Sequence, residues 1–203
     1  MIKVENVCVT GFEAAVRGMR NPLQSHNRSD SYMNLGEYIV GNADLNLMQR
    51  LYKAGPEHAK YLRMIHVTMD VTAPLYWWKE ADQYKVGTTT NSCSTMHKLH
   101  ANELTADDFS LDSMEPEEIV EIVKHNERRR LKYLETRDKK DWRALIQGLP
   151  SSYNQKRTWD FDYQTAINMI KQRTGHKLDE WNELVEILKD LPYIKEIMET
   201  KEN

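Results

Sequence analysis

The feature that most constrains the fold of this chain is a period of two in YLRMIHVTMDVTAP, residues 61–74. One face of the repeat is apolar and the other is mostly polar, with Ile65, Val67, Met69 and Val71 set against Met64, His66, Thr68 and Asp70. Such alternation is typical of a β-strand that is buried on one side. This segment is the clearest strand that the sequence predicts.

Helical patterns account for most of the remaining chain, and we expect helices to outnumber strands. They are marked by apolar residues at helical spacing, by capping residues and by glycine or proline stops. Helices are predicted within 10–22, 43–55, 74–84, 115–137, 138–150, 163–173, 178–190 and 192–200. Imperfect alternation predicts a first strand in 2–9, and the polar, aperiodic segment 23–38 is predicted to be a long loop.

Length and charge narrow the class of protein. The chain has 203 residues, enough for one substantial core, and a formal net charge of -3. That charge argues against a dedicated surface for nucleic acid or for an anionic membrane. The sequence contains no run of about 18 apolar residues, the length that a membrane-spanning helix needs. We therefore predict one domain over 1–203, with a strand-containing core at about 1–100 and 142–190 and a long helix at about 115–137.

Cysteine and histidine usage points to a cytoplasmic protein without a metal centre. Cys8 and Cys93 are the two cysteines, and we expect reduced thiols rather than a disulfide. The seven histidines are scattered without the spacing of zinc ligands. Residues 1–13 lack the basic and apolar regions of a signal peptide.

A polar run, KVGTTTNSCSTMHK at 85–98, follows the aromatic segment APLYWWKEADQY and has two interpretations. As a site, its glycine, hydroxyl, amide and ammonium groups suit a nucleotide phosphate and a base edge. The residues in question are Lys85, Gly87, Asn91, Ser92, Ser94 and Lys98. The alternative is a threonine-rich strand followed by a helix capped at Ser92 or Ser94.

Cys93 adds a further hypothesis within the same run. His97 follows four residues later, one helical turn away if the segment is helical, so Cys93 is a candidate thiolate nucleophile. A small buried residue is the alternative. Trp77 and Trp78, just upstream, are predicted to lie in the core.

A second segment of interest is LPSSYNQKRTWDFDYQTAINMIKQRTGHKLDEW, residues 149–181. Asn168 and Arg173 are five residues apart, so they do not share one helical face. Arg173 is placed to project from the C-terminal end of its helix, and Lys156 and Arg157 are predicted to wall a basic pocket from the preceding loop. The alternative for such cations is surface solvation, which we expect for the run ERRR at 127–130.

Together these two segments resemble the flavin-dependent thymidylate synthases. In that family a strand leads into Ala-Pro, a helix and an Arg-His-Arg signature, and a later Leu-Pro precedes an asparagine and an arginine on a helix. The similar spacing here runs from Leu149-Pro150 to Asn168 and Arg173, and the resemblance covers about 56–190. In place of Arg-His-Arg this chain has Gln83-Tyr84-Lys85, as in a diverged member.

The resemblance implies an α+β fold, a central antiparallel sheet with flanking helices, assembled as a homotetramer with shared sites. It implies FAD as cofactor and one-carbon transfer from methylenetetrahydrofolate to C5 of dUMP, with NADPH as reductant, for dTMP biosynthesis. Arg173 corresponds to a catalytic residue that also binds the pyrimidine. Cofactor binding is implied for His58, Gln83, Lys85 and Asn168, and substrate binding for Asn91, Ser92, Ser94 and Arg173.

Two other functions stay open at this point. A diverged member could lack flavin and bind or modify another pyrimidine nucleotide, with Cys93 as the nucleophile at C6. A non-enzymatic interaction protein could use the same fold without any small-molecule site.

Overall fold

The structure is a computed structural model that describes residues 2–199. Its α-helices are α1 (Phe12–Arg20), α2 (Asn42–Ala54), α3 (Leu75–Ala81), α4 (Thr95–Lys98), α5 (Pro116–Thr136), α6 (Lys139–Gln147), α7 (Tyr163–Arg173), α8 (Asp179–Lys189) and α9 (Ile194–Met198). Its strands are β1 (Lys3–Thr10), β2 (Tyr32–Asn34), β3 (Glu37–Ile39), β4 (His66–Pro74), β5 (Thr88–Ser92) and β6 (Asn154–Asp162). Helices outnumber strands within the described residues, and the predicted α+β class is confirmed.

The longer strands form one sheet in the order β1-β4-β6-β5, and β6 runs antiparallel to β4. The N–H of Leu75 donates to the carbonyl of Tyr153 (3.0 Å), and the N–H of Tyr163 donates to the carbonyl of Ile65 (2.9 Å). Residue numbers therefore rise along one strand as they fall along the other, which defines an antiparallel pair. The predicted strand β4 is confirmed, with Val67, Met69 and Val71 fully buried.

Strand β5 is also antiparallel to β6. The N–H of Cys93 donates to the carbonyl of Lys156 (2.9 Å), and the N–H of Asp162 donates to the carbonyl of Gly87 (3.3 Å). The two bonds place opposite ends of β5 and β6 beside each other. The threonine-rich run is therefore a strand.

Strand β6 corrects the prediction that Lys156 and Arg157 lie in a loop. Its C-terminal half buries Trp159 and Phe161, while its N-terminal half places Gln155 and Arg157 on that same face of the strand. Because half of the inward face is polar, the apolar alternation that reveals a strand covers too few residues to be recognised.

The Cα positions divide into two compact units. The first comprises Asp70–Tyr84 and Thr90–Thr158 with the first residues up to Glu5, and the second comprises Asn6–Met69, Lys85–Thr89 and the chain from Trp159 onward. The prediction of a single domain stays a prediction.

In the first unit, helices α5 and α6 pack on an apolar cluster. Its buried members are Leu99, Leu104, Phe109, Leu111 and Leu145. The prediction that 127–130 is a solvated face is correct only for Arg128, since Arg129 is half-buried and Arg130 is buried and ion-paired with Glu127 (2.6 Å).

In the second unit, Phe12 of α1 packs between two tyrosines. Its ring meets those of Tyr163 and Tyr193 edge-on, at centroid distances of 5.6 and 5.3 Å. The hydroxyl of Tyr163 donates to the carbonyl of Pro192 (2.9 Å). These contacts join α1 to the N-terminal end of α7 and to the segment that precedes α9.

The predicted loop 23–38 is more ordered than its composition indicates. It contains short 3₁₀ turns and the hairpin β2–β3, in which Tyr32 pairs with Ile39. The segment was predicted as a loop because its order comes from a carboxylate on the following helix, which no local pattern reveals.

That carboxylate is Asp44 of α2, which is completely buried. It accepts hydrogen bonds from Arg20 Nε (2.5 Å), Ser29 Oγ (2.6 Å) and Ser31 Oγ (2.7 Å), and from the N–H groups of Asp30 and Ser31. Burial by itself would raise the pKa of Asp44, but the hydrogen bonds from Ser29, Ser31 and Arg20 outweigh it and hold the pKa below the usual range.

Replacing this carboxylate should destabilise the protein. In Asp44→Asn the free energy of unfolding should fall by about 3–5 kcal/mol, because Arg20 stays buried without its counter-charge. Urea unfolding followed by circular dichroism measures the change. The matched control Glu13→Gln breaks the exposed pair of Glu13 with Arg17 and should cost less than about 1 kcal/mol. Equal effects of the two substitutions would contradict this account.

The stabilisation by Asp44 should also depend on pH. Its pKa is about 3.9 in an unfolded chain and lower in the folded protein. The contribution is therefore complete above the unfolded pKa and is lost as pH falls through the folded pKa. The difference in unfolding free energy between wild type and Asp44→Asn should shrink only on the acid side, and a difference that grows there would show that Asp44 is not held ionised.

Candidate functional site

The residues predicted for the site fall into two groups, one in each unit. The first unit holds Gln83, Asn91, Ser92, Cys93 and Ser94. The second unit holds His58, Lys85, Asn168 and Arg173.

In the first group, the polar run is a strand followed by a capped helix. Strand β5 ends at Ser92, and the hydroxyl of Ser94 accepts a hydrogen bond from the N–H of His97 (3.2 Å) as the N-cap of α4. The local structure is thus the alternative considered for this run, with Ser94 rather than Ser92 as the cap. Asn91 and Ser92 carry exposed side chains that make no hydrogen bond within residues 2–199.

Cys93 lies outside the helix, in the residue before its cap. Its N–H donates to the carbonyl of Lys156 and its own carbonyl accepts from Gln155 Nε2, both at 2.9 Å. The thiol is free and exposed, so the expectation of a buried small residue is wrong. No hydrogen bond joins Cys93 to His97 in the described chain, because α4 begins only at Thr95 and the two residues are not one helical turn apart.

The two tryptophans before this run are core residues, as predicted. Trp77 and Trp78 are fully buried, with their rings edge-on at 4.8 Å. The indole N–H of Trp78 donates to the carbonyl of Gln155 (2.9 Å), and the guanidinium of Arg157 lies over the Trp78 ring at 4.2 Å. Helix α3 is therefore tied to β6 through Trp78.

The prediction that Lys156 and Arg157 wall a basic pocket is wrong. Arg157 forms an ion pair with Asp82 at 2.8 Å, and Lys156 lies 3.3 Å from Asp70 and 3.5 Å from Glu5. The hydrogen bond with Asp70 raises the pKa of Lys156. Because they are strand residues rather than loop residues, both cations meet carboxylates of their own unit.

Gln83 lies two residues after the end of α3. Its side-chain Nε2 donates to the carbonyl of Lys79 (3.2 Å), and the residue is exposed. This contact leaves its amide oxygen without a hydrogen bond in the described residues.

In the second group, the segment with Lys85 is attached to the N-terminal end of α7. Asp162 caps the helix by accepting from the N–H of Thr165 (2.7 Å), and the hydroxyl of Thr165 donates to the carbonyl of Val86 (3.1 Å). Gly87 has φ +69°, and a Cβ there would lie 2.5 Å from the Asp162 carboxylate. Glycine is therefore required at 87, and Lys85 is left exposed.

At the other end of α7, Arg173 is held by aromatic contacts. Its guanidinium lies over the ring of Trp181 at 4.5 Å, and Nη1 is 3.2 Å from His176 Nε2. The imidazole is itself fixed, since its Nδ1 accepts from the N–H of Leu178 (3.1 Å). A cation at a helix C-terminus is also favoured by the helix dipole. The guanidinium is thus half-buried and oriented.

Asn168 lies on the same helix but faces elsewhere. Five residues separate it from Arg173, which corresponds to about 140° around the helix axis. Its Oδ1 accepts a long hydrogen bond from Gln164 Nε2 (3.4 Å). The two side chains are therefore not adjacent, as predicted.

His58 stands at the edge of an apolar cleft of about 460 Å³ in the second unit. The cleft is lined mainly by apolar side chains from α1 and the segment after it, from α2, and from the segment between α2 and β4, among them Met19, Leu23, Leu47, Leu51, Tyr61 and Met64. Glu57 and Lys60 join His58 at its polar edge. Such a cleft suits a flat apolar group with a polar substituent. The resemblance pointed to His58, but the sequence did not reveal the apolar residues that line the cleft, since they come from three separate segments.

Two further properties concern the described residues as a whole. Within residues 2–199, no cluster of three or more histidine, cysteine or acidic side chains has the arrangement of a metal site. None of the helices in this part of the chain combines the length and hydrophobicity needed to cross a membrane.

Comparison with known proteins identifies the fold. No protein-family model and no curated protein matches the sequence. A crystal structure of thymidylate synthase X (ThyX) from Helicobacter pylori with FAD and dUMP is 17% identical, has a TM-score of 0.75, and the match covers 97% of this chain and 96% of that one. A second structure is that of the flavin-dependent ThyX from Helicobacter pylori complexed with FAD and dUMP. It is 17% identical, has a TM-score of 0.74, and the match covers 96% of this chain and 98% of that one. The chain therefore has a ThyX-like fold over nearly its whole length, as the resemblance implied.

Proposed function

We propose that the protein is a flavin-dependent, thymidylate synthase-like enzyme that acts on dUMP. The observation that carries the proposal is the likeness of almost the entire chain to ThyX structures that contain FAD and dUMP. The reaction is one-carbon transfer to C5 of dUMP, with methylenetetrahydrofolate as donor and NADPH as reductant. The homotetramer with shared sites and the cytoplasmic location belong to the same proposal.

Arg173 is the residue to which we assign the central role. Its guanidinium is oriented before any ligand binds, since it lies over the ring of Trp181. A fixed cation stabilises negative charge that develops on a bound pyrimidine without reorganising during the reaction. Its planar donor pattern also suits bidentate contact with ligand oxygens. Asn91, Ser92 and Ser94 would contribute the neutral polar contacts to the nucleotide.

The residues proposed to hold FAD are His58, Gln83, Lys85 and Asn168. The apolar cleft beside His58 fits a flat ring system, and Lys85 and Gln83 offer exposed donors for phosphate or ribityl oxygens. A bound flavin supplies the redox chemistry that amino-acid side chains lack. With Gln83 and Lys85 in place of two arginines, phosphate contacts here are single rather than bidentate.

Removing the guanidinium of Arg173 should weaken nucleotide binding. In Arg173→Ala the affinity for dUMP should fall by roughly ten- to a hundredfold, since a hydrogen bond to a charged group contributes about 1.5–3 kcal/mol. Isothermal titration calorimetry measures this affinity. The free energy of unfolding should change by less than about 1 kcal/mol, because the lost cation–π contact is only partly buried.

The matched control is Lys171→Ala in the same last turn of α7. Lys171 also lies over an aromatic ring, that of Tyr52 at 4.9 Å, but has no proposed role in the site. Its removal should leave the affinity for dUMP unchanged. Equal dUMP affinity in wild type and Arg173→Ala would overturn the nucleotide assignment and favour an interaction protein on this fold.

A second candidate function rests on the exposed, free thiol of Cys93. In a diverged member without flavin, the thiolate would add to C6 of a pyrimidine nucleotide, and C5 would take up a proton from water. Loss of the original C5 proton to water would then expel the thiolate and restore the C5–C6 double bond, so the product is the nucleotide with its C5 hydrogen exchanged with solvent. Substituting Cys93→Ser should stop turnover and spare nucleotide binding in this case. Under the flavin-dependent proposal the same variant should retain activity. The assay is product formation from dUMP beside a binding titration, and loss of turnover alone would replace the first proposal by the second.

A further inference from the structure

An open cleft of about 740 Å³ lies in the first unit, beside helix α5 and the turn that follows α6. It contains none of the residues assigned to the nucleotide or the flavin. Its lining is rich in cations and includes Lys124, His125, Asn126, Arg128, Arg129 and Gly148.

Asn126 is the unusual member of this lining. Its side chain is only 2% exposed, and its Nδ2 donates to the carbonyl of Ile122 (2.9 Å). Its Oδ1 is buried and has no hydrogen-bond partner among residues 2–199. A buried acceptor without a donor is costly and rare in folded proteins, so a donor from outside the chain is the natural complement.

Arg129 is held at the same cleft by the turn after α6. Its Nη1 donates to the carbonyl of Gly148 (3.0 Å). Its guanidinium occupies the space that a side chain at 148 would need, since a Cβ there would collide with Nη1. Glycine at 148 therefore permits this placement of Arg129, whose remaining N–H groups make no hydrogen bond within the described chain.

The charge around Asn126 is positive. Lys124 and Arg128 are exposed and form no ion pair with any described residue. Glu121 is the acidic member of the lining, so Lys124, Arg128 and Arg129 face one carboxylate. The cleft thus offers several donors for an anion and one buried acceptor that needs a donor.

We propose that this cleft binds hydrogenphosphate, the inorganic phosphate dianion. Three of its oxygens share the two negative charges, and the fourth is a P–OH group. Its oxygens accept from Arg129 and its neighbours, and its hydroxyl donates to Asn126 Oδ1. Sulfate has the same charge and shape but no hydroxyl. A phosphate monoester such as methyl phosphate is mostly without its P–OH proton at pH above 7, since its second pKa is about 6. The site therefore selects inorganic phosphate over both.

The test is isothermal titration calorimetry of the full chain at pH 7.5 and constant ionic strength, with phosphate, sulfate and methyl phosphate as separate probes. Phosphate should bind about tenfold more tightly than either other anion, a difference of about 1.4 kcal/mol. Stronger binding of methyl phosphate than of phosphate would mean that the ligand is a monoester and would overturn the assignment. Equal affinities, or no heat with any probe, would overturn it as well.

Three variants separate this site from general attraction of anions. Asn126→Leu keeps the side-chain volume and should abolish the preference for phosphate over sulfate without lowering thermal stability. Gly148→Ala leaves the net charge unchanged but displaces Arg129, and it should weaken binding of all three anions. The control Lys139→Gln removes one exposed cation of α6 outside the cleft and should change nothing. Unaltered phosphate preference in Asn126→Leu would contradict the proposal.

Discussion

The antiparallel ladder that β6 forms with β4 and β5 is the constraint on which the rest of the structure depends. Its register places the carbonyl of Lys156 against Cys93 and the N–H of Asp162 against Gly87. Asp162 then caps α7, the helix that carries Asn168 and Arg173. A slip of one residue would turn Trp159 and Phe161 out of the core. The position of α7 is therefore set by a strand that precedes it directly.

The same ladder decides which partners the cations of β6 meet. Lys156 and Arg157 point from β6 to carboxylates within reach, so their charge is used inside the protein. Arg173 instead projects from the end of a helix, where an indole ring orients it. Both arginines stack on an indole ring, Arg157 on that of Trp78 and Arg173 on that of Trp181, and Arg157 in addition pairs with Asp82. The two differ in their place in the fold, since Arg157 is a strand residue and Arg173 ends a helix.

Sequence reasoning succeeded where a pattern is local and failed where order comes from distant partners. The alternation in β4 and the glycine that ends α2 were sufficient to predict both elements. Strand β6 was missed because Gln155 and Arg157 occupy its inward face. The turns and hairpin between α1 and α2 were missed because they depend on Asp44 and Arg20, whose pairing joins residues 24 positions apart. His58 and Gln83 entered the candidate site only through the resemblance, since no spacing rule groups them with Arg173, whereas the polar run at 85–98 was marked by its own composition.

The central claim is that a ThyX-like fold in this chain binds a flavin together with dUMP. The most direct measurement is the visible absorption spectrum of the purified protein after incubation with FAD and gel filtration, recorded before and after addition of dUMP. The account predicts that the flavin band stays with the protein and that its shape changes when dUMP binds next to the ring. A protein that leaves the column without the flavin band, both with and without dUMP present, would contradict the account.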